Sequence, residues 1–339
     1  MGRKKRLLCA FTGGTIASRE EEGVFAVAET PYLLLGAISK DLYHVDTFEP
    51  IRVLSENMTP DLLYQMFSEI TAKTDNLLYD GILIAHGTDT LAYTAQLAEY
   101  ILSGCSVPVI LFGAKKPIDD PDSDGFPNFL NAVALINVVK SGVYVVSRAS
   151  NGTDYVHAAD RVMQADHQDD DFHSFGGLFF GTMDGGNLIK NPAYRPIGRS
   201  ATAKNKVLAA LPFRGEAPDE SVLLLDAAVG TNFKALNIAH PAFRYILQRT
   251  YHSGTACAAP EDSSYSLLYL NKRCQEGFKR LFLAPVDRRR TMYASTRALI
   301  DAGITPLFDM PVEAAWAGLT LSIWLDINPD DVFDCDPEE

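Results

Sequence analysis

Cysteine is scarce in this chain and shows no pattern. Five cysteines (Cys9, Cys105, Cys257, Cys274 and Cys335) are spread over 339 residues, an odd number with no Cys-x-x-Cys spacing. That excludes a disulfide framework and points to reduced thiols in a cytoplasmic protein. No stretch approaches the roughly 18–20 apolar residues that a membrane-spanning helix needs. The basic cluster Arg3-Lys4-Lys5-Arg6 does precede an apolar run, as in a secretory signal. The run Leu7–Phe11 is cut off by Thr12-Gly13-Gly14-Thr15, too soon to form the apolar centre of such a signal. Positive charge is also short: 30 Lys and Arg against 43 Asp and Glu leave a formal net charge of −13. Neither nucleic acid nor an anionic membrane is therefore expected as the main partner. There is no GxxxxGK[ST] phosphate loop, no GxGxxG after a strand and no GxSxG nucleophile elbow. Internal repeats and low-complexity tracts are absent as well. A soluble, cytoplasmic protein is the expectation.

The length suits two domains better than one core. In the first half, short apolar runs alternate with longer stretches of helical spacing. Leu7–Phe11, Gly81–Ala85, Val107–Phe112 and Gly142–Ser147 read as buried parallel strands. Between them, 59–72 reads as a helix with Thr59 as N-cap and Pro60 at its first position. Leu62, Leu63, Met66, Phe67 and Ile70 fall on one face of that helix. Segments 90–102 and 129–139 read as helices by the same spacing. Strand–helix alternation predicts an α/β fold with a parallel sheet covered on both faces. From about Lys190 to Glu220 the pattern breaks, with Pro192, Pro196, Pro212 and Pro218 and five basic residues between Lys190 and Lys206. We place the boundaries at 1–190 for a larger N-terminal domain, 191–220 for a linker and 221–339 for a smaller C-terminal α/β domain. The second domain opens on a strand at 222–225 and ends in helices at 293–302 and 312–325. An acidic tail, 334–339, reads as frayed.

Ligands of open parallel sheets bind beyond the carboxyl ends of the strands. The first strand is followed there by Thr12-Gly13-Gly14-Thr15-Ile16-Ala17-Ser18, the second by His86-Gly87-Thr88-Asp89-Thr90 and the third by Gly113-Ala114-Lys115-Lys116-Pro117. Ser55-Glu56-Asn57-Met58 lies ahead of the helix that opens at Thr59. Four polar segments rich in glycine and hydroxyl groups thus meet on one rim, which suits a small polar substrate better than a nucleotide. Glycines 13 and 14 let backbone N–H groups approach an anionic or carbonyl oxygen. Taken singly, Thr12 is as readily a turn residue, Asp89 a helix N-cap and Glu56 a solvated loop charge.

Taken together, TGGTIAS (12–18) and HGTDTLAYTA (86–95), about seventy residues apart, resemble the bacterial-type L-asparaginases. SENM (55–58), DSDGFPNFLNAV (122–133) and YASTRALIDAGITPLFDMPVEAA (293–315) extend the likeness over nearly the whole chain, the last resembling the cytoplasmic type. The resemblance implies an amidohydrolase that turns L-asparagine into L-aspartate and ammonia without a cofactor or metal, as a homodimer or homotetramer. It implies that Thr12 is the nucleophile and that Thr88 assists proton movement and water attack. Asp89 would hold the substrate's α-ammonium group, and Ser55, Glu56 and Gly87 would bind the amino-acid end. Backbone N–H groups near Gly13 and Thr88 would stabilise the oxyanion. A free hydroxyl is a weak nucleophile, so such a site also needs a base and a group that orients it.

The chain departs from the family pattern at that base. Aligning Arg161 with the family's arginine puts Gln164 where relatives carry a lysine, and no lysine occurs between Ser141 and Ile189. Glutamine takes up no proton at neutral pH, and a guanidinium does not give one up. Lys115 and Lys116 are the alternatives on the rim, although both also read as surface charges. The tyrosine that many relatives carry in the loop after the nucleophile is absent, Phe25 being the aromatic residue there. A glycine motif of the second domain is altered to Ala228-Val229-Gly230-Thr231-Asn232. An asparaginase-fold pseudoenzyme, or a hydrolase of a different amide, therefore stays open beside the asparaginase reading. His157, His167 and His173 with Asp166, Asp169, Asp170 and Asp171 match no metal-ligand spacing and read as a solvated acidic loop. His86 reads as a structural hydrogen-bonding residue.

Overall fold

The computed structural model describes residues 3–14, 18–21, 24–27, 31–74, 79–197, 201–211, 213, 215–288 and 290–333, with side chains throughout except at 18–21, 24–27, 31, 32, 201 and 202. Thr15, Ile16 and Ala17 of the glycine loop, the Phe25 side chain, Pro212, Cys335 and the acidic tail lie outside what is described. The chain divides into two units, Met1–Pro196 with Ala210–Arg214, and Ile197–Ala209 with Gly215–Glu339.

In the first unit the strands are β1 (Lys5–Phe11), β2 (Ser18–Glu21), β3 (Val24–Val27), β4 (Tyr43–Phe48), β5 (Gly81–Ala85), β6 (Pro108–Phe112), β7 (Gly142–Arg148), β8 (Asp154–Ala158), β9 (Val162–Met163), β10 (His173–Ser174), β11 (Gly181–Asp184) and β12 (Asn187–Lys190). The helices are α1 (Pro60–Thr74), α2 (Leu91–Leu102) and α3 (Gly125–Val138). The main sheet has eight strands in the order β12-β11-β8-β7-β6-β5-β1-β4. The four strands expected from apolar runs form its parallel centre, and every residue of β5 and β6 is buried. The sheet is mixed rather than wholly parallel, because β8, β11 and β12 continue it antiparallel beyond β7. The turn joining β11 to β12 is the cause at the far edge. Gly185 and Gly186 hold φ of 53° and 81°, the left-handed pair of a tight hairpin, between paired Asp184 and Asn187.

Both faces of the parallel centre are covered. Leu7, Cys9 and Phe11 point with Leu83, Ala85, Ile110 and Phe112 into a core closed by Phe129, Ala132, Val133 and Ile136 of α3. The alternate residues Leu8, Ala10, Ile82, Ile84, Val109 and Leu111 are buried too, and α2 packs against β6 and β7. α1 starts at the expected proline, with Leu62 N–H donating to Thr59 Oγ1 at 3.3 Å. α3 begins earlier than expected, at Gly125.

The second unit carries a four-stranded parallel sheet in the order β13-β14-β15-β16. Its strands are β13 (Ser221–Leu225), β14 (Phe243–Arg249), β15 (Arg280–Val286) and β16 (Thr305–Phe308). Its helices are α4 (Ala201–Ala210), α5 (Leu267–Glu276), α6 (Ala294–Asp301), α7 (Val312–Trp324) and α8 (Pro329–Phe333). α4 occupies part of the stretch read as linker. α7 is buried along almost its whole length against β13, β14 and β15. Among the described residues no helix is long and apolar enough to cross a membrane. Cys9, Cys105, Cys257 and Cys274 form no disulfide among the described residues, and burial pushes the Cys274 thiol up to about 12.

The Phe112 and Phe129 rings, both fully buried, sit 5.6 Å apart and join α3 to the sheet. Phe129→Ala should cost about 3–5 kcal/mol in urea unfolding, as expected for a large cavity in a packed core. Its neighbour Leu130 is exposed, so Leu130→Ala should stay within about 0.5 kcal/mol of the parent.

Candidate active site

β1, β5 and β6 end side by side, and the segments that follow them meet. Thr12 is 1% exposed; its N–H and its Oγ1 both donate to the Ala85 carbonyl, at 3.1 and 3.0 Å. Residues 12–14 are zipped to the segment before Ser55. Val53 N–H donates to Thr12 O and Gly14 N–H to Val53 O, each at 3.0 Å. Gly13 and Gly14 hold φ of 99° and 78°, which favours glycine over any L side chain. Space adds a second demand. A Cβ on Gly14 would lie 2.4 Å from Gly87 Cα, and one on Gly87 would lie 2.4 Å from Ser55 Oγ. The three loops therefore touch through glycine, backbone to backbone at Gly14 and Gly87 and through the Ser55 side chain at the third contact.

That approach sets up the polar pair at the rim. Ser55, buried in a single turn of 3₁₀ helix, donates from Oγ to Asp89 Oδ2 at 2.8 Å and accepts the Asp89 N–H at 3.3 Å. Thr90 Oγ1 donates to Ser55 O at 2.9 Å. Thr88 is half-buried, with its methyl group toward Gly113, and its hydroxyl makes no hydrogen bond among the described residues. Asp89 and Glu56 are exposed, and Glu56 makes no hydrogen bond among the described residues. The structure thus brings Thr12, Ser55, Gly87, Thr88 and Asp89 together on one rim and sets Glu56 in the turn that starts at Ser55. His86 is fully buried beneath it, hydrogen-bonded through Nδ1 to Gly87 O at 2.8 Å and through Nε2 to Thr94 Oγ1 at 3.0 Å. Desolvation, only partly offset by the Gly87 carbonyl and Asp89, lowers the His86 pKa to about 4.

The groups that could take the Thr12 proton are placed differently. Gln164 follows β9 and is exposed; β9 is held to α2 by Gln96 Nε2, which donates to Val162 O at 3.0 Å. Arg161 is buried and donates to the backbone carbonyls of Arg195 and Phe175. Lys116 is a surface charge, 3.3 Å from Asp122. Lys115 is not a surface charge. Its ammonium is mostly buried in an ion pair with Asp171. Asp171 also accepts the Ser150 N–H and hydroxyl, and so departs from the solvated loop expected of it. Burial works to raise the Asp171 pKa, but Lys115 and Ser150 outweigh it and the net shift is downward.

Two residues beyond the expected set hold the third loop. Asn128 is buried in α3; its Nδ2 donates to Gly113 O at 3.0 Å and to Asp124 Oδ2 at 2.9 Å. Asp124 accepts the Lys115 N–H at 2.8 Å, and Asn128 Oδ1 accepts the Arg148 N–H at 2.8 Å. Both lie in the segment 122–133 singled out by resemblance. An aspartate directly ahead of a helix was the local signal for at least one of them. Among the described residues no group of three or more His, Cys, Asp or Glu is arranged to hold a metal ion.

A family sequence profile described as "Asparaginase, N-terminal" matches residues 6–192. A glutamyl-tRNA(Gln) amidotransferase subunit from Methanosphaera stadtmanae is 36% identical over 156 residues, 45% of this chain and 34% of that protein. The amidotransferase subunit of the same kind from Pyrococcus furiosus is 27% identical over 326 residues, 91% of this chain and 69% of that one. The match thus spans only about a third of the first relative's length and about two thirds of the second's. The thermostable L-asparaginase from Thermococcus kodakarensis has a similar structure, with a TM-score of 0.74 at 23% identity over 97% of this chain and 96% of that one. At that identity the likeness is one of fold.

His86 makes the rim acid-sensitive. Its folded pKa, about 4, lies below the ordinary value of 6.5. Below pH 6.5 the unfolded chain therefore binds a proton that the folded chain refuses, so this contribution is complete above pH 6.5 and is lost as pH falls toward 4. Urea midpoints should drop between pH 7.5 and pH 5. His86→Asn, whose amide does not titrate, should make that dependence shallower without removing it, because buried His157 contributes in the same window, even though the change lowers the stability at pH 7.5.

Proposed function

The chain belongs to the asparaginase family, and we propose that it is an amidohydrolase with Thr12 as nucleophile whose natural amide is one other than free L-asparagine. The observation that carries this is the division of the rim. The half that would grip an amino-acid amide is assembled, with Ser55 bonded to Asp89 and the Thr88 hydroxyl unengaged among the described residues. The half that would receive the nucleophile's proton is not. Thr12 Oγ1 donates to a carbonyl, Gln164 stands at the lysine position, and Lys115 is engaged by Asp171.

In this reading Asp89 holds the substrate's α-ammonium group, and Ser55, Glu56 and Gly87 hold its amino-acid end. Thr12 attacks the side-chain amide, and backbone N–H groups near Gly13 and Thr88 receive the oxyanion. Thr88 then guides water to the acyl-enzyme. The base arrives with the substrate or with a partner chain that closes over the rim. The amidotransferase subunits similar in sequence support this, since a subunit works within an assembly and an amidotransferase passes an amide's nitrogen to an acceptor. A second reading, a cytoplasmic L-asparaginase acting alone as a homodimer or homotetramer, is favoured by the intact Ser55–Asp89 pair and by the cytoplasmic-type segment 293–315.

Ammonia release from asparagine and from glutamine by the chain alone should be slow, because general acid–base assistance is worth about 10²–10⁴-fold. Gln164→Lys should raise the asparagine rate, and the gain should grow from pH 7 to pH 9. An exposed lysine with an ordinary pKa near 10.4 holds more of its base form at the higher pH. Thr12→Ala should abolish turnover in both backgrounds. Fast asparagine turnover by the parent, unchanged in Gln164→Lys, would establish the second reading instead.

Aspartate should bind the rim whether or not turnover is fast. Asp89→Ala should weaken it by about 1.5–3 kcal/mol, the range for a hydrogen bond to a charged group. Calorimetry showing undiminished aspartate binding by that variant would place the ligand elsewhere.

A further inference from the structure

The acidic segment after β9 carries a feature that the Thr12 rim does not use. A cavity of about 440 Å³ opens in the first unit between the β7–β8 turn, the face of β8 and the segment 169–179. That volume lies within the range of small-molecule sites, roughly 300–1,000 Å³. Tyr155 and His157, two apart on β8, lie on the same face of that strand and line the cavity. Phe179 meets Tyr155 edge to face at 5.1 Å, and the Tyr155 and His157 rings are 5.8 Å apart.

His157 is the most deeply buried of the polar side chains in this wall, 3% exposed. Its Nδ1 is hydrogen-bonded to Ser174 Oγ at 2.8 Å, and Nε2 has no hydrogen-bond partner among the described residues. Desolvation, with His173 adding to it and Asp171 opposing it, lowers the His157 pKa to about 3, so the ring is neutral at physiological pH. In the tautomer whose Nδ1–H donates to Ser174, Nε2 offers a lone pair. Two carboxylates, Asp169 and Asp171, and the exposed imidazole of His173 line the wall. Asp171 is already matched by Lys115 and by Ser150. Asp169, at the mouth, accepts the Asp171 N–H at 3.0 Å, and its carboxylate is paired with no cation among the described residues. No lysine or arginine among the described residues lines the cavity.

A ligand that fits this wall donates a hydrogen bond to Nε2, carries positive charge toward Asp169 and lays a flat apolar body against Tyr155 and Phe179. We propose that the cavity is a binding site for small organic amines, an ammonium group on an aromatic or similarly flat apolar body, separate from the Thr12 rim. Aromatic rings add attraction for a cation held over their faces. An anion of the same shape meets the Asp169 carboxylate and binds more weakly. The site is independent of which amide the Thr12 rim accepts.

The test is titration of the full-length chain with 2-phenylethylammonium, followed by calorimetry and by chemical-shift changes, with 3-phenylpropionate as the anion of like shape. The amine should bind at least tenfold tighter than the anion. Asp169→Asn, an exposed change that leaves the fold in place, should weaken the amine at least threefold. His157→Phe should weaken it further, with its thermal unfolding checked alongside. Amine binding that matches the anion's, that is absent, or that survives Asp169→Asn and His157→Phe but disappears in Asp89→Ala would overturn the proposal.

Discussion

The candidate site depends on the contact between Gly14 and Gly87. Two segments that follow neighbouring parallel strands pass so close that a β-carbon on Gly14 would collide with the Gly87 backbone, while one on Gly87 would collide with Ser55. The close approach brings Ser55 against Gly87, and Ser55 in turn fixes the Asp89 carboxylate at 2.8 Å. Hydrogen bonds among Thr12, Gly14 and Val53 secure the third side. None of these contacts requires a reaction to take place. They are conditions of packing, and they leave a rim that carries the Asp89 carboxylate and the hydroxyls of Thr12, Ser55 and Thr88.

The parallel centre could be read from residues because burial on both faces leaves an unbroken signal, as in Gly81-Ile82-Leu83-Ile84-Ala85. The rim could be read because glycine and hydroxyl residues follow such strands at positions where little else fits. The antiparallel extension could not be found by the same means. β11 and β12 have four residues each, and several of their side chains are partly exposed, so apolar runs do not mark them. Their one clear signal, Asp184-Gly185-Gly186-Asn187, is a hairpin turn, visible only when turn chemistry is weighed ahead of hydropathy. Asn128 was hidden for another reason. A polar residue inside a helical stripe looks like a surface position until the carbonyl it serves, on Gly113, is known to lie beneath it. Asp171 was misplaced because its three acidic neighbours suggested solvent, whereas its partner Lys115 is remote in sequence.

The electrostatics of the first unit hold a nearby lysine away from the role of base that the proposed mechanism would ask of it. Lys115 belongs to the segment whose Gly113 touches the Thr88 methyl group, so its backbone is close to the rim. Its ammonium is mostly buried against Asp171, which Ser150 also binds. Drawing the amine away to serve Thr12 would strand a carboxylate in a place where water reaches it poorly, and separating such partners is far more costly than separating an exposed pair. Proximity along the sheet edge is therefore insufficient, and the electrostatic partner decides what the amine can do.

The order of strands has a consequence for how molecules of this protein behave when crowded. An eight-stranded sheet that does not close presents two open margins, each a template for a strand from another molecule. Here the β12 margin is four residues long and runs directly from Lys190 into Asn191 and Pro192, the last with no N–H to offer. At the β4 margin His44 and Asp46 interrupt the strand with polar side chains, and Asp46 is tied back to Arg6 at 2.6 Å. Both ends of the sheet thus oppose stacking into fibrils, by brevity and a proline at one margin and by charge at the other.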